Sequence, residues 1–409
     1  MKRRLKIFAS ILLALGTAGT AASQQPQTLT LAEALNRAEK QNLDLQAARA
    51  QRAVALAGVH IAGQLPNPTV FFSVVRDTPH ESLFFDQPID ISGKRGKRIE
   101  VAKQESALKE ASITALERQV RREVRIAYFS LDFARRVTAQ KLEAAKLAAR
   151  LKEIAQARFE SGDIAQLEVT QAELELSRAN ADAQVAKREE DIALSRLNVL
   201  LNAPASSSWD LASALDGFPR PLSLEALVGR ATDSNAEITR LLQETKVEES
   251  RTGLLKAERV PNLGIELGVD FNSPGPGGFH EGGRGQVSME LPIFTRNQGE
   301  IAQSTATLRA LEQETAAKRR AVAGQVESAY YQLNAREAEV TLYKQTLVPA
   351  TKQLEELAEE SYKSGKANIL TVLSAQRDVR QVESEYLSSL LAMQTSFAEL
   401  EETTGAPLD

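Results

Sequence analysis

The chain has 409 residues, of which 25% are charged and 43% hydrophobic, and its 50 basic and 54 acidic side chains leave a net charge of −4. This near balance excludes a strongly basic nucleic-acid-binding protein, so we expect no nucleic-acid partner. The absence of cysteine excludes disulfides, thiolate metal sites, a cysteine nucleophile and an amino terminus anchored to lipid through cysteine. Only 22 glycines and 14 prolines interrupt the chain, which predicts long secondary-structure elements.

Residues 1–23 have the pattern of a secretory signal peptide. Basic residues between Lys2 and Lys6 precede an apolar stretch at 7–18, and small residues follow it. A positive start, a short apolar core and a small-residue cleavage region together direct export. No later stretch approaches the roughly 20 apolar residues of a membrane-spanning helix. We therefore expect the mature chain outside the inner membrane, either in solution or as a β-barrel in an outer membrane.

Short motifs recur in the same order in the two halves of the chain. Phe159-Glu-Ser-Gly162 returns 203 positions later as Tyr362-Lys-Ser-Gly365, and each half ends with an Ala-Pro pair. An ordered series of matches predicts two copies of one structural unit. Between them lies a stretch rich in proline and serine, which is typical of a linker. The predicted segments are a first repeat at 24–203, an inter-repeat linker at 204–221 and a second repeat at 222–409.

Each unit is predicted to run as helix, β-hairpin, long helix, tight turn and helix. No proline interrupts the chain between Gly96 and Arg158, which permits a helix of about 60 residues and roughly 90 Å. In the second unit apolar residues repeat every seven positions, as in a coiled-coil seam. These residues are Val326, Leu333, Val340, Leu347 and Leu354 on one helix, and Val372, Val379, Tyr386, Met393 and Leu400 on the next. Helices of this length must belong to a coiled-coil assembly.

The tight turns, predicted at 159–162 and 362–365, each contain a glycine. Gly162 and Gly365 are expected in the left-handed conformation that ends many helices. The helices on either side of each turn should then pack as antiparallel pairs. Because these turns are the only tight reversals between the long helices, they should cluster at one end of the molecule.

The two hairpins, predicted at 69–91 and 262–294, have a period of two residues. From Leu263 to Phe271 apolar residues alternate with glycines and acids over about nine positions, the length of a bilayer-crossing strand. The alternative is a soluble hairpin with one buried face. Two hairpins give four strands, too few to close a barrel, and strands in a bilayer must close. Three chains would supply twelve, so the sequence predicts a homotrimer.

Acidic residues occur on the polar phase of these strands. If the apolar phase faces lipid, the acids face the lumen and give a passage suited to cations. The alternative is that any water-filled pore needs polar walls and that the sign of the charge is incidental. The acids are Asp86, Asp90, Glu266, Asp270 and Glu290.

Together these features resemble the TolC-like family of outer-membrane efflux ducts, over the whole mature chain. The resemblance rests on the duplicated unit, the Phe/Tyr-x-Ser-Gly turns, the paired hairpins and the terminal Ala-Pro pairs. The stretch Gln87-Pro-Ile-Asp-Ile-Ser-Gly-Lys-Arg-Gly96 further resembles the CzcC-like heavy-metal branch. The resemblance implies an α+β fold of mainly long α-helices. As a trimer it would form a twelve-stranded outer-membrane β-barrel over a twelve-helix periplasmic α-barrel.

The resemblance also implies partners and contact sites. The partners are outer-membrane lipid, a periplasmic adaptor (a membrane fusion protein) and an inner-membrane pump of the resistance-nodulation-division type. The adaptor would dock on the tip turns, at Phe159, Ser161, Gly162, Tyr362, Ser364 and Gly365. The family's drug-export archetype has two aspartates after the second turn, at the periplasmic entrance, where this chain has Thr371 and Ser374. Glu168 and Gln171 are their first-unit equivalents, so an acidic ring would rest on Glu168.

Two further groups of side chains have competing interpretations. His80-Glu81 and His280-Glu281 fall at the predicted hairpin tips, where they are either a site for zinc, copper, nickel or cobalt or a chance pairing in surface loops. The basic run at 94–98 is either a solvated helix start or an anchor for lipid headgroups.

The sequence predicts a passive export duct for heavy-metal cations, with no catalytic residues and no cofactor. One alternative is the same duct serving drugs, solvents or type I protein secretion. A second is a periplasmic adaptor that bridges pump and duct. Adaptors usually have one long helical hairpin per chain inserted into small β domains, so the duplication argues against this second alternative.

Overall fold

The computed structural model describes residues 27–77, 79–217, 223–275, 278–364 and 366–408. The predicted signal peptide, the end of the predicted linker and Gly365 lie outside the described residues. The helices are α1 (Leu31–Gln41), α2 (Leu43–Ala62), α3 (Lys94–Glu160), α4 (Gln166–Leu200), α5 (Leu224–Ser234), α6 (Ala236–Ala257), α7 (Gln298–Leu342), α8 (Val348–Lys363) and α9 (Ile369–Thr404). The strands are β1 (Gln27–Leu29), β2 (Thr69–Val74), β3 (Glu81–Ile89), β4 (Trp209–Leu211), β5 (Leu263–Gly275) and β6 (Gly278–Met289).

Two helices precede each hairpin, where the sequence predicted one. Asn42 separates α1 from α2: its side chain accepts a hydrogen bond from the Leu45 N–H (3.1 Å) and donates one to the Leu200 carbonyl (3.1 Å). Asn235 separates α5 from α6 in the same way and donates to the Thr403 carbonyl (2.8 Å). Asparagine side chains compete with the backbone for such bonds, which favours a new helix start over continuation.

The longest helix, α3, has 67 residues and is therefore about 100 Å long. It packs antiparallel to α4 and also contacts α9, which in turn packs against α7 and α8. No proline breaks it, and buried residues recur along its whole length. None of the helices in the described ranges combines the length and apolar character that a membrane span requires.

The main core lies where the two halves of the chain meet. The Tyr128 hydroxyl is buried there, donating to the Leu29 carbonyl (2.8 Å) and accepting from the Ser213 N–H (2.9 Å). Strand β1 pairs in parallel with β4, which lies inside the predicted linker. This pairing was not predicted, because three-residue strands leave no readable period.

The predicted coiled-coil seam is confirmed on α9 and on most of α7. Its buried members are Val326, Leu333, Val340, Val372, Val379, Met393 and Leu400. The prediction is wrong at Leu354, which is 47% exposed. The seam is lost across a π-helical segment, Tyr343–Leu347, that ends two residues before Pro349. Proline has no N–H to donate and its ring clashes with the carbonyl four residues earlier, so the helix widens and the seven-residue register shifts.

Four strands form one antiparallel sheet in the order β2-β3-β5-β6. The hairpin of β5 and β6 is the longer, with strands of 13 and 12 residues, against six and nine in β2 and β3. Both hairpins are shorter than predicted at their carboxyl ends, where β3 stops at Ile89 and β6 at Met289. Strands β2 and β6 form the two edges of the sheet.

Candidate functional site

The first tip turn closes with a glycine in the left-handed region, as predicted from the sequence. Gly162 has φ +83°, and its N–H donates to the Phe159 carbonyl at 2.9 Å. The Asp163 N–H and the Ser161 hydroxyl each donate to the Arg158 carbonyl at 2.9 Å. These bonds satisfy the last carbonyls of α3. A Cβ added at Gly162 would meet nothing within 4 Å, so the demand for glycine is a matter of backbone conformation alone.

The second tip turn uses similar bonds around Ser361 and Ser364. The Ser364 N–H donates to the Glu360 carbonyl (3.0 Å), and its hydroxyl donates to the Ser361 carbonyl (3.1 Å). The Lys366 N–H also donates to the Ser361 carbonyl, at 2.9 Å. The last carbonyls of α8 are therefore satisfied from the turn, as those of α3 are.

The two tips meet in a small apolar core that joins the halves of the chain. Its buried members are Leu151, Ala155, Val169, Ala172, Tyr362, Val372 and Leu373. Tyr362 is 5% exposed, whereas Phe159, at the matching position, is 36% exposed. The Arg158 guanidinium lies 5.2 Å from the centre of the Tyr362 ring. The structure thus brings the two tips together, as expected for the only tight reversals between the long helices.

The four predicted entrance residues lie beside this core. The Asn368 side chain accepts hydrogen bonds from the N–H and the hydroxyl of Thr371, both at 3.0 Å, and the Ser374 hydroxyl donates to the Thr371 carbonyl at 3.0 Å. These two hydroxyls therefore brace the start of α9. Glu168 and Gln171 are half-buried, and neither side chain makes a hydrogen bond or ion pair within the described ranges. Their role at an entrance stays a prediction.

A charged link between α4 and α9 was missed in the sequence. The two carboxylate oxygens of Glu175 each lie 3.0 Å from a guanidinium nitrogen, one of Arg377 and one of Arg380. The Glu175 side chain is only 11% exposed. The partners lie 202 and 205 positions away, and no spacing rule predicts contacts at that distance. The link borders a groove of about 470 Å³ that also contains Lys141 and Arg178.

The long helices of the two hairpins differ in charge at matching positions. Lys152 on α3 forms an ion pair with Glu173 on α4 at 3.1 Å. The residue 203 positions after Lys152 is Glu355 on α8. Burial raises the pKa of Glu355, and the negative charges of Glu359 and Glu383 raise it further. The second hairpin therefore holds an unfavourable carboxylate where the first holds an ion-paired ammonium.

Three of the five predicted lumen acids lie on one face of the sheet. Asp86 pairs directly with Glu266, and Asp270 is on the same face, where its carboxylate accepts a hydrogen bond from the Ser82 hydroxyl at 2.8 Å. The opposite face is apolar and exposed in the single chain. Its large side chains include Leu83, Phe85, Leu267, Val269 and Val287. A sheet with one apolar and one acidic face is typical of a wall between lipid and water.

Asp90 and Glu290 lie beyond the ends of their strands, so the alternation argument does not extend to them. The Asp90 carboxylate accepts hydrogen bonds from the backbone N–H groups of Arg95 (2.7 Å) and Ser92 (3.0 Å). Burial raises the pKa of Asp90, but the backbone donors outweigh it, and the pKa lies below its ordinary value. Asp90 thus stabilises the start of α3.

Three members of the basic run at 94–98 bind within the chain, and the Lys97 ammonium does so by donating to the Glu100 carboxylate at 2.8 Å. The Lys94 ammonium, which is buried, donates to the Asn262 side-chain oxygen at 2.8 Å. The Arg95 guanidinium donates to the Gly63 carbonyl at 2.6 Å. These contacts favour a structural role for Lys94 and Arg95 over an anchor for lipid headgroups.

The predicted metal pairs lie at the loop ends of their hairpins. His80 and Glu81 come just before and at the start of β3, and the backbone of His280 pairs with Ser273 of β5. Strand β5 lies between β3 and β6, so within one chain these pairs are on non-adjacent strands. Among the residues that the structure describes, no cluster of three or more His, Cys, Asp or Glu side chains is suited to a metal ion. The metal site stays a prediction.

Known proteins resemble this chain in sequence and in fold. The cobalt-zinc-cadmium resistance protein CzcC of Cupriavidus metallidurans is 26% identical over 367 residues, which cover 88% of this chain and 86% of that protein. The nickel-cobalt-cadmium resistance protein NccC of Alcaligenes xylosoxydans xylosoxydans is 26% identical over 250 residues, 59% of this chain and 55% of that protein. The outer membrane protein VceC of Vibrio cholerae matches 93% of this chain and 97% of its own, with a TM-score of 0.74 at 16% identity.

A family model described as outer membrane efflux protein matches the chain twice, at residues 34–203 and 227–406. These two matches fall in the two halves of the chain and together cover most of it. The TolC-like fold expected from the sequence is confirmed by the likeness to VceC. The chain is therefore an outer-membrane channel rather than an enzyme, and it belongs to the outer membrane efflux protein family.

Proposed function

We propose that this channel is the exit duct of a tripartite efflux system, which conducts its substrate passively from an inner-membrane pump and a periplasmic adaptor to the exterior. The observation that carries the proposal is a sheet with one exposed apolar face, joined to long helices that meet in a common tip, the longest of which is about 100 Å long. Such a molecule is suited to connecting a membrane wall with a distant docking point.

A homotrimer is the assembly we propose. In a single chain β2 and β6 leave unpaired edges, which a bilayer does not tolerate. Exposed apolar residues lie along α4, and others lie along α7 and α8 on the opposite side of the chain. They are Leu174, Val185, Ile192 and Val199 on α4, and Tyr331, Leu342, Leu354 and Leu357 on α7 and α8. Because the two sides of the chain differ, one copy would pack its α4 side against the α7–α8 side of the next, which closes a ring.

The proposed adaptor contact is the pair of tip turns. Ser161, Gly162 and Ser364 are exposed there, and the turns end the two long hairpins side by side. The proposed substrate is a heavy-metal cation. The names of CzcC and NccC support this choice, and so does the acidic face formed by Asp86 and Glu266. The alternative substrates are drugs, solvents or secreted polypeptides carried by the same duct.

Two experiments test the proposal. Crosslinking of outer-membrane fractions should trap a species of three chains, and recovery of the mature protein as a soluble periplasmic monomer would contradict the assembly. A strain without this chain should then be compared with a complemented strain in export of cobalt, zinc, cadmium and nickel, and of a panel of drugs. We expect metal export alone to depend on the chain. Dependence of drug export alone would replace the metal substrate with the alternative.

A further inference from the structure

One guanidinium lies on the acidic face of the sheet. Among the described strand residues up to the register shift at Asp270/Ser273, Arg284 on β6 is the one basic side chain on this face. Its Nη2 lies 3.9 Å from a carboxylate oxygen of Glu266 on β5. Its central carbon lies 4.6 Å from the centre of the Phe84 ring on β3. The side chain therefore extends across β5 to reach the third strand.

Glycine at position 268 makes this reach possible. The strand register puts Phe84, Gly268 and Arg284 in one row across three strands. A Cβ at Gly268 would lie 2.2 Å from the Phe84 ring and 2.7 Å from the Leu83 carbonyl oxygen, so no other residue fits without rearrangement. The ring and the Glu266 carboxylate then hold the guanidinium flat against the sheet. This contact also explains why an aromatic residue occurs on the polar phase of β3.

The rows on either side of Arg284 are acidic. On one side Asp86 and Glu266 are direct cross-strand neighbours, and on the other side Asp270 lies opposite Ser82. Successive rows on one face of a sheet are two residues apart, roughly 7 Å. A single positive charge thus separates two groups of carboxylates along the strand direction. Directly opposed carboxylates such as Asp86 and Glu266 repel each other unless a cation lies nearby.

We propose that Arg284 sets the cation affinity of the channel wall. The three carboxylates of each chain attract cations, and the guanidinium between them prevents a deep binding well in which a divalent ion would be trapped. Conduction requires attraction strong enough for entry and weak enough for release, and a fixed counter-charge between acidic rows meets both demands. The inference rests on the proposed function, in which this face lines the water-filled passage.

The test uses the purified full-length channel in planar lipid bilayers. Reversal potentials in a potassium chloride gradient measure the preference for cations, and added cobalt(II) chloride measures block by a divalent ion. Loss of one charge about 4–8 Å from the carboxylates should tighten cobalt block by about 3- to 10-fold in Arg284→Gln and increase the preference for cations. Arg284→Lys keeps the charge and should stay close to wild type in both measurements.

Arg336→Gln is the matched control. Arg336 is 47% exposed, as Arg284 is, and forms an ion pair with one carboxylate, Glu339 at 2.7 Å, but it lies on α7. It should leave cobalt block unchanged. Arg284→Met removes the same charge and decides the question if the glutamine variant does not insert. Equal block and equal reversal potential in wild type and the charge-loss variants would overturn the inference. A wild-type protein that conducts no ions would instead contradict the proposed function.

Discussion

The two long helical hairpins have matching turns and packing, but they differ in continuity, in helix capping and in charge. Helix α3 runs unbroken to its tip, whereas the corresponding arm of the second hairpin is interrupted by the π-helical segment Tyr343–Leu347. Helix α9 is capped by the Asn368 side chain, whereas α4 begins after Ala165 with no side-chain cap. The apolar seam and the turn bonds decide how the helices pack, so they recur. Caps, breaks and surface charges decide only how rigid each hairpin is, so they differ.

Removing the link between the hairpins should have the largest effect on stability. Glu175→Gln leaves Arg377 and Arg380 close together without their carboxylate. Because Glu175 and Arg380 are largely buried, we expect a loss of about 2–3 kcal/mol. Unfolding by guanidinium chloride in detergent, at fixed protein concentration, measures this change in the free energy of unfolding. Glu173→Gln, which breaks the half-exposed pair with Lys152, is the control and should cost about 0.5 kcal/mol or less. Equal losses of stability in the two variants would show that the buried link of Glu175 contributes no more than the half-exposed pair of Glu173.

Strain at the first tip should have the next largest effect. Gly162→Val forces a β-branched residue into the left-handed region at φ +83°, at a cost of about 1–2 kcal/mol. Because the position is open, the cost comes from the backbone and not from a clash. We expect export to fail while trimers still form in the outer membrane. Gly229→Val, at an open position within α5, should leave export intact. Normal export by Gly162→Val would show that the first tip turn is not part of the docking site.

The difference in capping should be transferable between hairpins. Asn368→Ala removes the acceptor for the Thr371 N–H and should destabilise the second tip by about 1 kcal/mol. Ala165 already has the extended backbone of a cap residue, at φ −80° and ψ 152°, so Ala165→Asn should stabilise the first tip by a similar amount. Hydrogen exchange in the first turns of α4 and α9 measures both changes. No gain in protection for Ala165→Asn would mean that the tip turn, and not the missing cap, determines the stability of the first turn of α4.

The difference in charge should give a smaller, pH-dependent effect. A carboxyl group whose pKa is raised by folding destabilises the folded state when ionised, so stability increases as pH falls through the raised pKa. Glu355→Gln should therefore raise the thermal midpoint at neutral pH and lose this advantage in acid. Solvent screening at this partly exposed site limits the gain to about 0.5 kcal/mol. An equal gain at neutral and at acidic pH would show that the ionised carboxylate of Glu355 is not the cause.

The smallest effect on stability is expected at the proposed entrance. Glu168 is half-buried and has no ion pair among the residues described, so Glu168→Gln should change the free energy of unfolding by less than about 0.5 kcal/mol. If Glu168 forms the acidic ring, single-channel recordings should show weaker block by divalent cations. Unchanged conductance and unchanged block would identify Glu168 as an outward-facing helix charge.

Regular features of this channel were readable from the sequence, and long-range polar contacts were not. The seam through Val372 and Val379 follows a seven-residue period, and Gly162 follows the conformational demand of a helix end. The bonds from Glu175 to Arg380 and the stacking of Arg284 on Phe84 join residues about 200 positions apart. Such contacts depend on the register of packed elements, which no local pattern specifies. The break before Pro349 had a visible cause in that proline, but the prediction followed the apolar repeat across it.

The parallel pairing of β1 with β4 determines the order in which the chain can fold. The Leu31 N–H donates to the Ser213 hydroxyl at 2.9 Å, and the two residues are 182 positions apart. A chain that emerges amino terminus first therefore exposes β1 long before its partner strand arrives. The entropy cost of closing so long a loop grows only slowly with length, but the contact itself must wait until α3 and α4 are complete. We expect the pairing of β1 with β4 to form last in the first half of the chain, while the second half is still crossing the inner membrane.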